Sequence, residues 1–460
     1  MTKSKKFKTP ARASIFYLLG TVGSRAIGIL VTPIFTRAMD EGEFGLYSYY
    51  ISILGIVSMI SGIFLAPAVF YSGLGKFKGE KEGFSKTAIL LSISINTLIC
   101  TLLFAFNPYL GLNLQLIAIL TLQGAVDIVI NSELMKSKFA YNYGRVLAIN
   151  LSTSILSAAI SVFLVLYLGM GAIGRAIGLL LPGAAVCLLA FPRRREKNIK
   201  NPHHASFLLK NSIPLIPAIL SRAAMGSVDK LIVMASLGEI ALAKYSIAHT
   251  VGTVLFALIG ALSNALNPWL IRKLSLGRRD LIFPVIEDIS AIVAWGSAAV
   301  ITLSPEIFSF LAPESYRDAV FAIAPIALCS VPYFLFTVAT VVSGFSERTH
   351  NVSISASIGA AINLILNILL IPRLSYLGGG IAYFAAEAVM LLSLLLLMGR
   401  RDKDAALALL GGRESWVALA FGCLMPLFYK YPALRILLLS IPLCLGARRG
   451  FKCLTISREK

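Results

Sequence analysis

The chain is 460 residues long, 57% hydrophobic and only 14% charged, with a mean hydropathy of +0.81, whereas soluble domains carry about 25% charged residues. No water-soluble fold hides that much apolar surface, and the longest polar stretches, 192–206 and 400–415, are loop-sized, too short for an appended catalytic module. A net charge of +20 points to nucleic acid only when it lies on a soluble basic face; here the basic residues sit between apolar runs, so no nucleic-acid partner is expected.

Taken in chain order, runs of about twenty apolar residues, each long enough to cross a hydrocarbon core as a helix, predict about fourteen spans. They cover 14–36, 46–70, 87–106, 114–131, 146–168, 172–191, 207–236, 241–266, 283–303, 319–345, 352–371, 380–398, 416–428 and 433–445. The last two are short and read as a tilted or thin hairpin. The basic start leads into an apolar run too long for a signal-peptide core, so an uncleaved first span is expected.

Lys and Arg gather at 3–12, 76–86, 136–145, 193–210, 272–279, Arg348, 400–413 and 448–460. Those are alternate loops, the positive-inside pattern, which puts both termini in the cytoplasm. The intervening loops hold Asp40, Glu41, Glu43, Glu306, Glu314 and Asp318. Cys100, Cys187, Cys329, Cys423, Cys444 and Cys453 form no CxxC and no pair bounding an external loop. Neither a disulfide nor a metal centre is expected.

An internal repeat organises the spans. Ser24-Arg25-Ala26 recurs as Ser221-Arg222-Ala223, followed at nearly equal distance by Tyr47-Ser48 and Tyr245-Ser246. Tyr167-Leu168-Gly169-Met170-Gly171 likewise recurs as Tyr376-Leu377-Gly378-Gly379-Gly380. Six helices separate the partners each time, an even number, which implies a parallel repeat about an axis along the membrane normal. The expected fold is all-α and polytopic, with six-helix lobes at 1–200 and 201–400, and a terminal helix pair with a basic tail at 401–460.

An ionisable side chain at the centre of a span costs roughly 2.5 to 3.5 kcal/mol or more, so it should face protein or water. Arg25 shares a helical stripe with Thr21, Gly28, Thr32 and Thr36, which reads as a cavity wall. Arg222 and Asp229 are seven residues apart on one face, with Lys230 beside them and Pro214 and Pro217 upstream. Guanidinium groups fork onto phosphate oxygens, so Arg25 and Arg222 in opposite lobes suit a pyrophosphate, with Lys230 as a third cation. The structural alternative is that each arginine caps a carbonyl or pairs with an acid, and that Lys230 snorkels or pairs with Asp229.

Asp127, Glu133, Asp229 and Glu387 are the candidates for coupling to H+ or Na+, a structural ion pair being the alternative; no other cofactor is expected. Glu287 and Asp288 read as solvated near a helix end, and His249 as a hydrogen-bonded packing residue. Gly169, Gly171 and Gly174 match G-x-G-x-x-G but follow no strand, so close helix packing explains them better than a nucleotide. Asp40, Glu41 and Glu43 could be the metal-binding acids of a membrane glycosyltransferase or ligase, or simply a solvated turn.

The segment from Thr36 through Arg37, Met39, Asp40, Glu43, Phe44, Gly45 and Tyr47 to Ser48 resembles the turn after the first helix in the polysaccharide-transporter family. That family belongs to the multidrug, oligosaccharidyl-lipid and polysaccharide exporter (MOP) superfamily. Asp229-Lys230-Leu231-Ile232 followed by Tyr245-Ser246-Ile247-Ala248 is similar to the pattern opening that family's second lobe, with Lys230 where many relatives have Arg. The resemblance covers about 14–398.

It implies a bacterial inner-membrane flippase, not an enzyme. Its lobes would move an undecaprenyl-pyrophosphate oligosaccharide to the periplasmic leaflet by alternating access, for O-antigen, capsule or exopolysaccharide assembly. Membrane lipid, a polymerase and glycosyltransferases would be its partners. The rival within the superfamily is a multidrug or cation antiporter, which commonly uses an acid in the N-terminal lobe; the first span here has none.

Overall fold

The computed structural model describes residues 10–107, 111–190, 201–346, 348–398 and 412–458, and these are helical throughout apart from turns and short connections. The α-helices in chain order are α1 Pro10–Ala38, α2 Glu41–Ser61, α3 Pro67–Lys76, α4 Lys81–Ala105, α5 Leu114–Phe139, α6 Tyr143–Leu166, α7 Gly171–Ala190, α8 Pro202–Ser212 and α9 Ile216–Leu237. There follow α10 Glu239–Gly252, α11 Val254–Ser275, α12 Arg279–Leu311, α13 Ile323–Leu328, α14 Ser330–Phe345, α15 Thr349–Leu374, α16 Tyr376–Leu397, α17 Arg413–Leu424 and α18 Pro432–Arg458. Among the described residues ten segments are long and apolar enough to cross a membrane, and the chain is a multi-pass membrane protein.

Each of the fourteen expected spans coincides with helix, but several are broken where sequence hydropathy ran on. The run 46–70 splits because Ala66, preceding Pro67, takes an extended conformation (φ −55°, ψ 129°), as a residue before proline tends to. Prolines 214 and 217 divide 207–236 into α8, a 3-10 turn at Ile213–Leu215 and α9. The expected span 241–266 is broken at Thr253, between α10 and α11. Helix starts are fixed locally: the Asn113 side chain accepts from the Gln115 amide at 3.0 Å, and Asn201 caps α8 from the residue before Pro202.

The chain forms two compact units, Met1–Ser227 and Val228–Lys460. The first runs past the expected boundary at 200 because Leu208 of α8 is buried with Ile63, Phe64, Phe70 and Phe84, and Leu215 and Ile219 pack against the same cluster. In the second unit α17 and α18 pack on α12, so the terminal pair is part of that unit's core. Small residues set the close helix contacts: a Cβ on Gly183 would lie 2.7 Å from Val126, and one on Gly380 would lie 2.7 Å from Pro325.

The two repeated motifs meet each other inside each unit. In the first, the start of α7 touches α2: the Ala172 amide donates to Glu43 Oε2 at 2.6 Å. In the second, the start of α16 touches α10: a Cβ on Gly379 would lie 3.0 Å from the Tyr245 hydroxyl.

Candidate functional site

Arg25 lies on an exposed part of α1 and Arg222 on an exposed part of α9. Among the described residues neither side chain makes a hydrogen bond or ion pair. Each stands within one turn of a glycine that opens onto empty space, Gly28 and Gly226, where a Cβ would meet nothing within 4 Å. The serine before each arginine turns back on its own helix, Ser24 Oγ to the Gly20 carbonyl at 2.8 Å and Ser221 Oγ to the Pro217 carbonyl at 2.7 Å. Two strong bases in apolar helices therefore have open surroundings and no protein anion, a state that needs water or an external anion.

The rest of the α1 stripe is different. Thr32 and Thr36 are buried, and their hydroxyls donate to the Gly28 carbonyl at 2.9 Å and the Pro33 carbonyl at 3.3 Å. Both hydroxyls thus serve their own helix around Pro33. The Thr21 side chain lies outside the described residues.

Although Arg222 and Asp229 are two turns apart on α9, only the arginine is exposed. Asp229 is 0% exposed. Tyr245 of α10 donates to Asp229 Oδ2 at 2.7 Å, and His249 Nε2 lies 3.8 Å from the same oxygen. Asp229 Oδ1 has no hydrogen-bond partner among the described residues. The His249 ring stands edge-on to Tyr383 of α16 at 5.8 Å. One turn further along α16 is Glu387, buried. Asp229 and His249 thus meet in a buried contact beside the Tyr245 and Tyr383 rings, and Glu387 is a further buried carboxylate on α16. Lys230 is half-buried beside Asp229.

The other two acids sit in the first unit. Asp127 accepts from Gln123 Nε2 at 2.8 Å on its own helix. Glu133 contacts Lys136 and accepts from Arg145 Nη2 at 3.1 Å, which places it in a basic cluster at the helix end.

Arg175 of α7 carries no mark in the sequence that sets it apart. Its guanidinium lies 4.1 Å from the Phe35 ring centre, 5.0 Å from Phe44 and 4.0 Å from Tyr47. The Phe-Gly-x-Tyr turn thus builds an aromatic enclosure for a cation. Glu43, in the same turn, caps α7. Among the described residues no three His, Cys, Asp or Glu side chains cluster as metal ligands would. On the second unit an apolar cleft of about 590 Å³ lies among α12, α14, α16 and α17, lined by Val331, Leu335, Phe384, Leu391, Trp416 and Leu419.

No family model and no curated protein sequence matches this chain. Solved structures do. The lipid II flippase MurJ, in an inward closed conformation, shares 16% identity at a TM-score of 0.67, covering 96% of this chain and 99% of its own. An inward-facing multidrug resistance transporter of the MATE family shares 12% identity at a TM-score of 0.66, covering 85% and 96%. A transporter from Pyrococcus furiosus, described as having a binding pocket of reverse polarity that suggests a different function, shares 13% at 0.61, covering 91% and 100%.

The chain has the MOP-superfamily fold.

Proposed function

We propose that this chain is a flippase that moves a polyprenyl-pyrophosphate-linked oligosaccharide across a bacterial inner membrane by alternating access. The observation that carries the reading is the pair Arg25 and Arg222, two permanent cations in apolar helices, beside open glycine positions, with no carboxylate on either among the described residues. A pyrophosphate supplies the missing anion and matches the bidentate donor geometry of guanidinium. Lys230, eight residues after Arg222 on α9, extends the positive stripe past Gly226. Asp229 and Glu387, both buried, are the groups whose charge would change with a coupling proton or sodium ion. Similarity in fold to a lipid II flippase is consistent with a lipid-linked cargo.

The test is complementation of a strain lacking its surface-glycan flippase. Arg25→Ala and Arg222→Ala are expected to reduce export about a hundredfold at normal protein level, the order of loss when a buried charge loses its partner. Arg25→Lys and Arg222→Lys should restore part of it. Wild-type export in both alanine variants would end the assignment. A cation antiporter is the competing reading, given the fold it shares with multidrug transporters. It is disfavoured by two unneutralised cations facing open space. Drug efflux lost on Asp127→Asn and unaffected by Arg25→Ala would favour it.

A further inference from the structure

At the ends of α4, α5 and α6, on the side that the distribution of Lys and Arg assigns to the cytoplasm, three cations converge. Lys136 Nζ lies 3.3 Å from Glu82 and also contacts Glu133. Arg145 holds the other oxygen of Glu133 at 3.1 Å. The Lys81 ammonium sits 5.2 Å above the Phe139 ring and has no carboxylate partner among the described residues. These groups line a cleft of about 600 Å³. A second cleft of about 600 Å³ shares Glu133 and Arg145 with it and runs along α5, α6 and α7 between Val129, Ile130, Ile149, Val186 and Leu189.

The two clefts form one amphipathic trough, with a polar cationic mouth continuing into an apolar slot on lipid-facing helices. The segments that supply the mouth, 76–86 and 133–145, hold seven Lys or Arg against three acids, so the surrounding field is positive even after Glu82 and Glu133 have paired. A free phosphate would leave the slot empty, and a neutral lipid would leave Lys81 without a counter-charge. We infer that this trough binds an anionic phospholipid of the adjoining leaflet, its phosphate held by Lys81, Lys136 and Arg145 and one acyl chain lying between α5, α6 and α7. The site is separate from Arg25 and Arg222 and stands independently of the cargo.

The test uses the full chain purified in detergent and offered phosphatidylglycerol, phosphatidylcholine or polyprenyl phosphate, with bound lipid counted by native mass spectrometry. Phosphatidylglycerol should be retained about tenfold better than phosphatidylcholine. The double variant Lys81→Gln with Arg145→Gln should lose that preference. Ile149→Trp, which fills the slot and leaves every charge in place, should lose phosphatidylglycerol as well. Added phosphatidylglycerol should raise the melting temperature of the wild type and of neither variant, a readout in which each lipid-free variant is its own folding control. Equal retention of the two phospholipids by the wild type, or undiminished phosphatidylglycerol on both variants, overturns the assignment. So does preferential retention of polyprenyl phosphate, which would give the trough to the cargo lipid.

Discussion

Tyr245 is the single donor seen on Asp229, at 2.7 Å and with both residues fully buried. A carboxylate out of water depends on its hydrogen bonds, and leaving one unmade costs about 1–3 kcal/mol, more when the group is charged. Tyr245→Phe is therefore expected to lower the melting temperature and to depress export. Asp229→Asn should keep most of the stability, since the amide still accepts from Tyr245, while losing the response of transport to a proton or sodium gradient. A Tyr245→Phe protein that melts like the wild type would detach the tyrosine from Asp229. At this scale, residues that break a local rule were legible: Arg25, Arg222, Asp229 and Glu387 stand out as charges inside apolar runs. Arg175 did not, because its surroundings come from Phe35, Phe44 and Tyr47 on two other helices, and no local pattern announces that they will meet it. Thr32 and Thr36 show the converse error, since periodicity gives a face but not what covers it.

Helices α12, α17 and α18 are joined by one side chain. Arg449 of α18 contacts Asp288 of α12, which is buried, and lies 2.6 Å from Glu414 of α17. Asp288 is thus the buried acceptor of an interhelical charge cluster and not the solvated acid its place near a helix end had implied. Breaking such a pair from one side is destabilising by about 3–5 kcal/mol. Arg449→Ala should lower the melting temperature accordingly, and the double variant with Asp288→Asn should recover part of the loss in a double-mutant cycle. Additive losses would mean that the contact contributes nothing. Some helix breaks carry a mark in the residues themselves, as at Pro214 and Pro217, where the missing amide hydrogen interrupts the helical ladder. The break at Thr253 has no proline to mark it, only Gly252 just before it.

Orientation in the membrane belongs to the whole chain. From the alternation of basic and acidic loops Asp318 is expected outside and Arg278 inside, and both side chains are well exposed, at 77% and 54%. In a background without the native cysteines, Asp318→Cys should react with an impermeant maleimide in intact cells, and Arg278→Cys only after permeabilisation. The reversed pattern would invert the topology, and with it the leaflet assigned to the lipid trough.

Composition and the period of apolar runs were sufficient to determine an all-helical, multi-pass membrane protein, because burial in lipid imposes its demand on each helix separately. Which charges are free and which are satisfied was decided only by tertiary packing. The burial of Asp229, the enclosure of Arg175 and the openness beside Arg25 and Arg222 depend on how separate helices meet, which no single span encodes.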